Sequence, residues 1–249
     1  MVEPGTLPKG TLPEGASNEQ EASERVREMF TRIAPRYDLL NHLLSAQMDR
    51  VWRARVAKEF KPVLDRPDAR VLDVCCGTGD LAFSLGRHAK ARIIGADFSH
   101  TMLVRACRKN GSASFTFLEA DALRLPFADG SFDLITMAFG FRNLANYEQG
   151  LRQMFRLLKR NGALGILEFA EPPPGALGDL YRFYMQKLLP KIGGLISGDT
   201  AAYQYLPKSV ARFFRPDELA SLMTRVGFAP VRFRLMTLGS VALHIAIRP

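Results

Sequence analysis

The 249-residue chain contains no apolar run of ~18 or more residues, so no segment is long enough to cross a bilayer as a helix. Its opening stretch, Met1 to Glu19, lacks the basic start and apolar centre of a secretory signal, and a cytoplasmic location is expected. Three cysteines, Cys75, Cys76 and Cys107, supply neither a disulfide framework nor zinc-ligand spacing. They read as small buried residues in a reducing compartment, and no metal is expected. Lysine and arginine outnumber the acids 34 to 25, giving a net charge of +9. No lysine-rich tract or aromatic-interleaved basic block accompanies that excess, so no nucleic acid is expected as partner. The charge is either a solvated basic surface or an attraction to an anionic one such as acidic lipid headgroups.

What remains is an ordinary globular composition, 47% hydrophobic and 24% charged, in a chain long enough for a self-sufficient core. Residues 1–20, rich in Pro, Gly, Thr and Glu, have little apolar surface to offset ordering and are expected to be a flexible tail. Residues 21–249 then form a single domain. From Ser23 to Phe60, apolar residues at helical spacing predict two or three helices ahead of a sheet, with Pro35 as a break. From Arg70 to Phe169, short apolar runs alternate with helical stretches, the pattern of a parallel sheet covered on both faces. An inserted helical cap is expected at about 172–212, and Pro216 to Val226 is a further helix stopped by Gly227. Two closing strand-like runs, Val231 to Leu238 and Val241 to Ile247, are placed for a hairpin. The fold class expected is α/β, a mostly parallel seven-stranded sheet with a C-terminal antiparallel hairpin strand.

The most specific segment is Val71-Leu72-Asp73-Val74-Cys75-Cys76-Gly77-Thr78-Gly79-Asp80, an apolar strand entering a Gly-rich turn that opens a helix. Glycines there let backbone and ligand approach closely at the carboxyl end of a parallel strand, and helix N–H groups offer themselves to an acidic ligand end. A second strand ends in Asp97, an ionised acceptor pair suited to both ribose hydroxyls. A third leads to Asp121 and Ala122, suited to adenine through the carboxylate and the Ala122 N–H. Gly77-x-Gly79-x-x-Ala82 with Asp97 about twenty residues on also satisfies a dinucleotide fingerprint, which leaves a nicotinamide dehydrogenase open. Asp73, the Asp121-Ala122 pair and the terminal hairpin favour S-adenosylmethionine and the Rossmann-like class I methyltransferase fold. The expected cofactor residues are Asp73, Gly77, Thr78, Gly79, Asp97, Asp121 and Ala122. Asp73 also admits a structural role as a loop anchor, and Cys75, where a glycine is usual, reads as a packed side chain.

Further stretches, running collinearly from about Met29 to His244, are similar to the C-methyltransferases of ubiquinone and menaquinone biosynthesis, the UbiE/MenG family. They are Met29-Phe30-x-x-Ile33-Ala34-x-x-Tyr37-Asp38-x-x-Asn41-x-x-Leu44-Ser45 with Trp52-Arg53, then Phe139-Gly140-Phe141-Arg142-Asn143, Glu168-Phe169 and Tyr205-Leu206-Pro207-x-Ser209-Val210. The chain departs from the family pattern at Leu40, usually Met, at Asp49, usually His, and at Ala138, Ser in some members.

The resemblance implies Thr78, Asp97, Asp121 and Ala122 as S-adenosylmethionine contacts and a prenylated quinol as methyl acceptor, with the Cys-Cys loop most like the menaquinone branch. A quinol carbon becomes nucleophilic once a ring hydroxyl, pKa near ~10, is deprotonated. Arg142 is expected to stabilise the phenolate and Asn143 to fix a ring oxygen. Tyr37, Asp38, Asn41 and Tyr205 are expected to close over the ring, with Asp38 as proton acceptor. Against these stand plainer readings: Arg142 pairing with a nearby carboxylate in a turn, and Tyr37-Asp38 as helix cap and core. The stretch with Leu180, Phe183, Tyr184, Leu188, Leu189 and Ile192, flanked by Arg182, Lys187 and Lys191, is either ordinary core or a channel mouth in peripheral contact with the membrane. A homodimer or a quinone-synthesis complex is a further expected partner. Another methyl acceptor, or a non-catalytic scaffold that binds the cofactor, is the alternative.

Overall fold

The computed structural model describes residues 9–87, 89–110, 115–172, 175–184, 187 and 200–249. Helices α1 (Glu19–Ile33), α2 (Tyr37–Leu44), α3 (Met48–Glu59) and α4 (Lys61–Leu64) precede the sheet. Then come β1 (Arg70–Val74), α5 (Asp80–Gly86), β2 (Arg92–Asp97), α6 (His100–Lys109), β3 (Phe115–Glu119), β4 (Phe132–Ala138), α7 (Tyr147–Leu157) and β5 (Leu158–Phe169). Helices α8 (Ala176–Phe183), α9 (Thr200–Ala211) and α10 (Pro216–Val226) lead to β6 (Val231–Met236) and β7 (Val241–Ile247).

The strands form one seven-stranded sheet in the order β3-β2-β1-β4-β5-β7-β6. Pairings from β3 through β5 are parallel, and β7 runs antiparallel to both β5 and β6, so the closing hairpin inserts its second strand beside β5. The expected fold class is the one observed. Reversal of the strand order at β1 and β4 opens a crevice at their carboxyl ends, where this architecture binds ligands.

Alternation along the strands sends side chains to two cores. On one face Leu72, Ile135 and Ile166 meet Leu151 and Met154 of α7 and Leu219 and Met223 of α10. On the other, Val71, Leu134 and Leu167 meet Trp52 and Val56 of α3 and Leu81 and Leu85 of α5. Each fully buried Leu, Ile or Phe contributes about 1.5–3 kcal/mol of transfer free energy, so the sheet is a rigid platform. A third, smaller cluster joins Met29 and Ile33 of α1 to Val210 of α9 and ties the inserted helices to the N-terminal ones.

Two expectations are corrected. Residues 1–8 lie outside the described residues, but from Lys9 onward the expected tail is packed on the body: Tyr147 N–H donates to the Lys9 carbonyl and Thr11 N–H to the Leu144 carbonyl, each at 2.8 Å. Ala16 packs against the core, and the Asn18 side chain caps α1 by accepting from Glu21 N–H. Cys107 is exposed rather than buried, because the helical period of α6 turns Met102, Leu103 and Ala106 inward and leaves Cys107 outside. Of the inserted cap, α8 and α9 are described.

Candidate functional site

The β1–α5 turn carries the backbone strain its sequence implies. Gly77 has φ of +54° with nothing within 4 Å of the place a Cβ would occupy, so the loop leaves open space over its own backbone. Gly79 (φ +85°) starts α5, and Cys75 holds φ of +53°, a left-handed conformation that favours glycine. Asp97, at the end of β2, fastens this turn: its carboxylate accepts from Gly77 N–H and Ser99 N–H, each at 2.8 Å. Burial pushes its pKa up to about 6 against the lowering effect of those amides.

Asp73 is paired in register with Thr136, and one of its oxygens accepts the Thr136 hydroxyl at 2.8 Å. The other oxygen is buried with no partner among the described residues, and burial pushes the carboxyl up to about 7. An unpartnered carboxylate oxygen beside a Gly-lined gap fits a cationic group, as an ammonium of a bound amino-acid moiety would supply.

Two connected spaces open from this turn. A narrow slot of about 60 Å³ is lined by Asp97, Phe98, Met102, Asp121, Ala122 and Leu123. Asp121 accepts Leu123 N–H on one oxygen at 2.8 Å. A chamber of about 660 Å³ lies on the opposite side. Cys75, Gly77, Ala138, Phe139, Phe30 and Tyr37 border both spaces, so the slot and the chamber share a wall.

The chamber is apolar and aromatic. Phe139 and Phe169 lie 4.6 Å apart between ring centroids, with Trp52 at 5.8 Å and 6.3 Å from them. The Trp52 indole donates to the Thr237 hydroxyl at 2.7 Å, which brings the β6–β7 connection to the chamber wall. Arg142, 6% exposed, lines this space; its NH1 donates to Glu168 Oε1 at 2.8 Å and to the Phe139 carbonyl at 2.6 Å. The guanidinium lies 5.3 Å from the Phe169 ring centroid, and its buried Nε–H has no partner among the described residues. Burial disfavours the charge on Arg142, but Glu168 outweighs it and raises the pKa, so the side chain is a fixed cation with one donor unused. The expected pairing with a carboxylate is made with Glu168, and the side chain lines the chamber. Asn143 donates to the Phe139 carbonyl at 3.3 Å and accepts from the Tyr205 hydroxyl at 3.0 Å. Tyr37, Asn41, Tyr205 and Tyr184 also line the chamber, and burial raises the Tyr37 and Tyr205 phenols above their usual range.

Asp38 is not among the chamber-lining residues. One of its oxygens accepts the Thr78 hydroxyl and the other pairs with Lys109 Nζ at 2.6 Å. Lys109 also donates to Thr78 Oγ1 at 2.9 Å and Asp80 at 2.8 Å, so its three protons serve α2, the turn and α5. Lys109 and Thr78 thus both engage the carboxylate of Asp38, the residue expected as proton acceptor. The Thr78 hydroxyl is likewise engaged on both sides, which leaves its backbone as the group free to meet a cofactor. Next to this cluster Asp49, 3% exposed, accepts from Arg53 at 2.8 Å, Ser45 at 2.9 Å and His42 at 2.7 Å. Donor atoms of His42, Asp49 and Asp80 lie within 4.8 Å of one another, but the Arg53 guanidinium reaches both carboxylates and fills the cation position.

Sequence reasoning missed Phe98, Met102 and Leu123 in the slot and Lys109, Thr237, Leu238 and Ser240 around the chamber. A signal existed for Met102, which follows Asp97 on the inward face of α6; none existed for the β6–β7 residues, whose place depends on strand order. Of the expected channel-mouth residues Tyr184 lines the chamber and Phe183 is 56% exposed, while Leu188, Leu189 and Ile192 and the side chain of Leu180 lie outside the described residues.

Comparison with known proteins adds independent findings. Residues 18–248 match the model of the ubiE/COQ5 methyltransferase family. A demethylmenaquinone methyltransferase of Thermus thermophilus is 50% identical over 224 residues, covering 89% of this chain and all of the relative. One of Deinococcus radiodurans is 47% identical, covering 92% and 94% respectively, and a ubiquinone/menaquinone biosynthesis C-methyltransferase of a Geobacter species is 42% identical, covering 92% and 98%. Among solved structures, an S-adenosylmethionine-dependent methyltransferase of Thermotoga maritima superposes with a TM-score of 0.64 at 21% identity, covering 89% of this chain and 99% of that one. A phosphoethanolamine N-methyltransferase of Haemonchus contortus, solved with S-adenosylmethionine, gives 0.56 at 14% identity, covering 77% and 52%.

Proposed function

We propose that this chain, which belongs to the ubiE/COQ5 methyltransferase family, methylates a ring carbon of a prenylated demethylquinol, with demethylmenaquinol as its acceptor. Family membership makes it an S-adenosylmethionine-dependent methyltransferase. The names carried by the Thermus and Deinococcus relatives support the naphthoquinol branch.

The observation that carries the reading is the shared wall: a slot with two strand-end carboxylates meets a large aromatic chamber at Cys75, Gly77 and Phe139. Asp97 would take ribose hydroxyls, Asp121 with the Ala122 N–H the adenine, and the unpartnered Asp73 oxygen the methionine ammonium. When bound, the cofactor supplies an electrophilic methyl on a sulfonium. The chain's own contribution is to hold the acceptor carbon facing that wall, worth several kcal/mol through proximity alone. Trp52, Phe139 and Phe169 offer faces for a flat bicyclic ring, and the unused Nε–H of Arg142 is a donor for the ring oxygen as it becomes a phenolate. Being protonated at neutral pH, Arg142 stabilises the anion and does not take the proton. Once water has taken the hydroxyl proton, the ring carbon would accept that methyl as its bond to sulfur breaks and leaves a neutral thioether, and loss of the ring hydrogen as a proton to water restores the aromatic ring.

The prenyl tail places the protein at a bilayer surface. Leu43 and Leu238, on the chamber wall, are 52% and 68% exposed, and Arg50 and Arg55 on α3 are exposed cations.

The test is methyl transfer from labelled S-adenosylmethionine to chemically reduced demethylmenaquinol and to the corresponding ubiquinol precursor in detergent, with Arg142→Ala and Asp97→Ala alongside. Ring-carbon label on the naphthoquinol, lost in both variants, is the expected result. Label on the benzoquinol alone reassigns the pathway, and cofactor binding with neither quinol labelled overturns the acceptor assignment.

A further inference from the structure

We propose that Thr11 is a positioning residue: the strap from Lys9 to Glu14 holds the Tyr205 phenol on the Asn143 carboxamide and so fixes α9 over the chamber. The proposal rests on the reading of that chamber as the acceptor site.

The strap is seated by its backbone. Lys9 C=O and Thr11 N–H bond to Tyr147 and Leu144 on either side of Gly10. A Cβ on Gly10 would lie 1.8 Å from the Ala145 carbonyl oxygen, so the two backbones are in direct contact and no larger residue fits. Thr11 is thereby buried, 9% exposed, with its hydroxyl 2.8 Å from the Tyr205 hydroxyl.

The proton directions in this chain are determined. The Phe139 carbonyl can only accept, so Asn143 turns its Nδ2 toward it and its Oδ1 toward Tyr205. That oxygen also only accepts, so the single phenol proton of Tyr205 goes to Asn143. Thr11 must then be the donor to Tyr205. Burial raises the phenol pKa and keeps that proton in place. The line Thr11, Tyr205, Asn143 ends on the Phe139 carbonyl, which also receives Arg142 NH1. It thus runs from the N-terminal strap to the positive-φ residue (Phe139, φ +57°) that divides slot from chamber. Three residues along α9 from Tyr205, Lys208 pairs with Glu14 of the same strap at 3.4 Å.

Thr11→Val keeps shape and removes the donor; Thr11→Ser keeps the donor. In the full-length protein, Thr11→Val is expected to lower kcat/KM for the quinol about five- to tenfold, the size of one buried hydrogen bond, with the KM for S-adenosylmethionine held within about twofold. Thr11→Ser restores the rate, and Thr11→Val adds nothing on top of Tyr205→Phe. Amide hydrogen exchange across residues 205–211 speeds up in Thr11→Val. Additive effects of the two substitutions, equal loss for both substrates, or unchanged exchange in α9 would overturn the proposal. If the unaltered protein methylates neither quinol, the acceptor reading has failed while the exchange measurement still decides the strap.

Discussion

The slot and the chamber share a wall of six residues yet are built differently. The slot is set by strand ends: Asp97 closes β2 and Asp121 follows β3, while Asp73, one residue before the end of β1, lies on the chamber side of the shared turn. The chamber is made of additions to the sheet: α1 to α3 before it, α8 and α9 inserted after β5, and the connection between β6 and β7. The slot is thus fixed by the sheet, while the chamber is carried by segments free to vary.

The sharpest way to break this division is at Arg142, a charge buried in the chamber wall that pairs with Glu168 of β5. Arg142→Ala leaves Glu168, 1% exposed, as an uncompensated buried carboxylate, and a loss of roughly 3–5 kcal/mol in denaturant unfolding is expected along with methyl transfer. Asp73→Asn, on β1 beside the turn, acts in the opposite sense. The folded carboxyl titrates at about 7 against an ordinary 3.8, so the unfolded chain releases its proton first and stability falls as pH rises from about 4 to 7. Removing that carboxyl should stabilise the ligand-free protein by on the order of 3–4 kcal/mol at pH 8 and by nothing at pH 3, read as unfolding midpoints. The same substitution should weaken S-adenosylmethionine binding at least about tenfold by calorimetry, because a charge-assisted contact is lost. The smallest effect is expected from Asp38→Asn, which keeps the Thr78 contact and loses a partly exposed ion pair worth ~0.2–1 kcal/mol. A rate loss of about 10²–10⁴ there would restore Asp38 as the proton acceptor.

The same division decides what was legible in the sequence. Strand ends are local events, so Asp73, Gly77, Asp97 and Asp121 could be placed from an apolar run followed by a turn, and strand order brought them together as expected. The acceptor side depends on long-range packing. Tyr205 and Arg142 were identifiable only through resemblance, and their partners Thr11 and Glu168 lie 194 and 26 residues away. Asp38 shows the limit most clearly: its residue type suits a base, but Lys109 on α6, invisible to any local pattern, claims it. The opening residues misled for a related reason, since a Pro- and Gly-rich composition does not reveal that Gly10 can lie flat on another backbone.

The Lys109 ammonium, joining three acceptors while remaining about one-third exposed, has a consequence for how the protein answers to its medium. Counter-ions reach a junction at that depth, with a screening length near 10 Å at 0.1 M salt, whereas they do not reach the enclosed Arg142–Glu168 pair. Raising ionic strength therefore loosens the junction of α2, the β1–α5 turn and α5 first, making it the salt-sensitive tie of a protein whose Arg142–Glu168 pair is insulated.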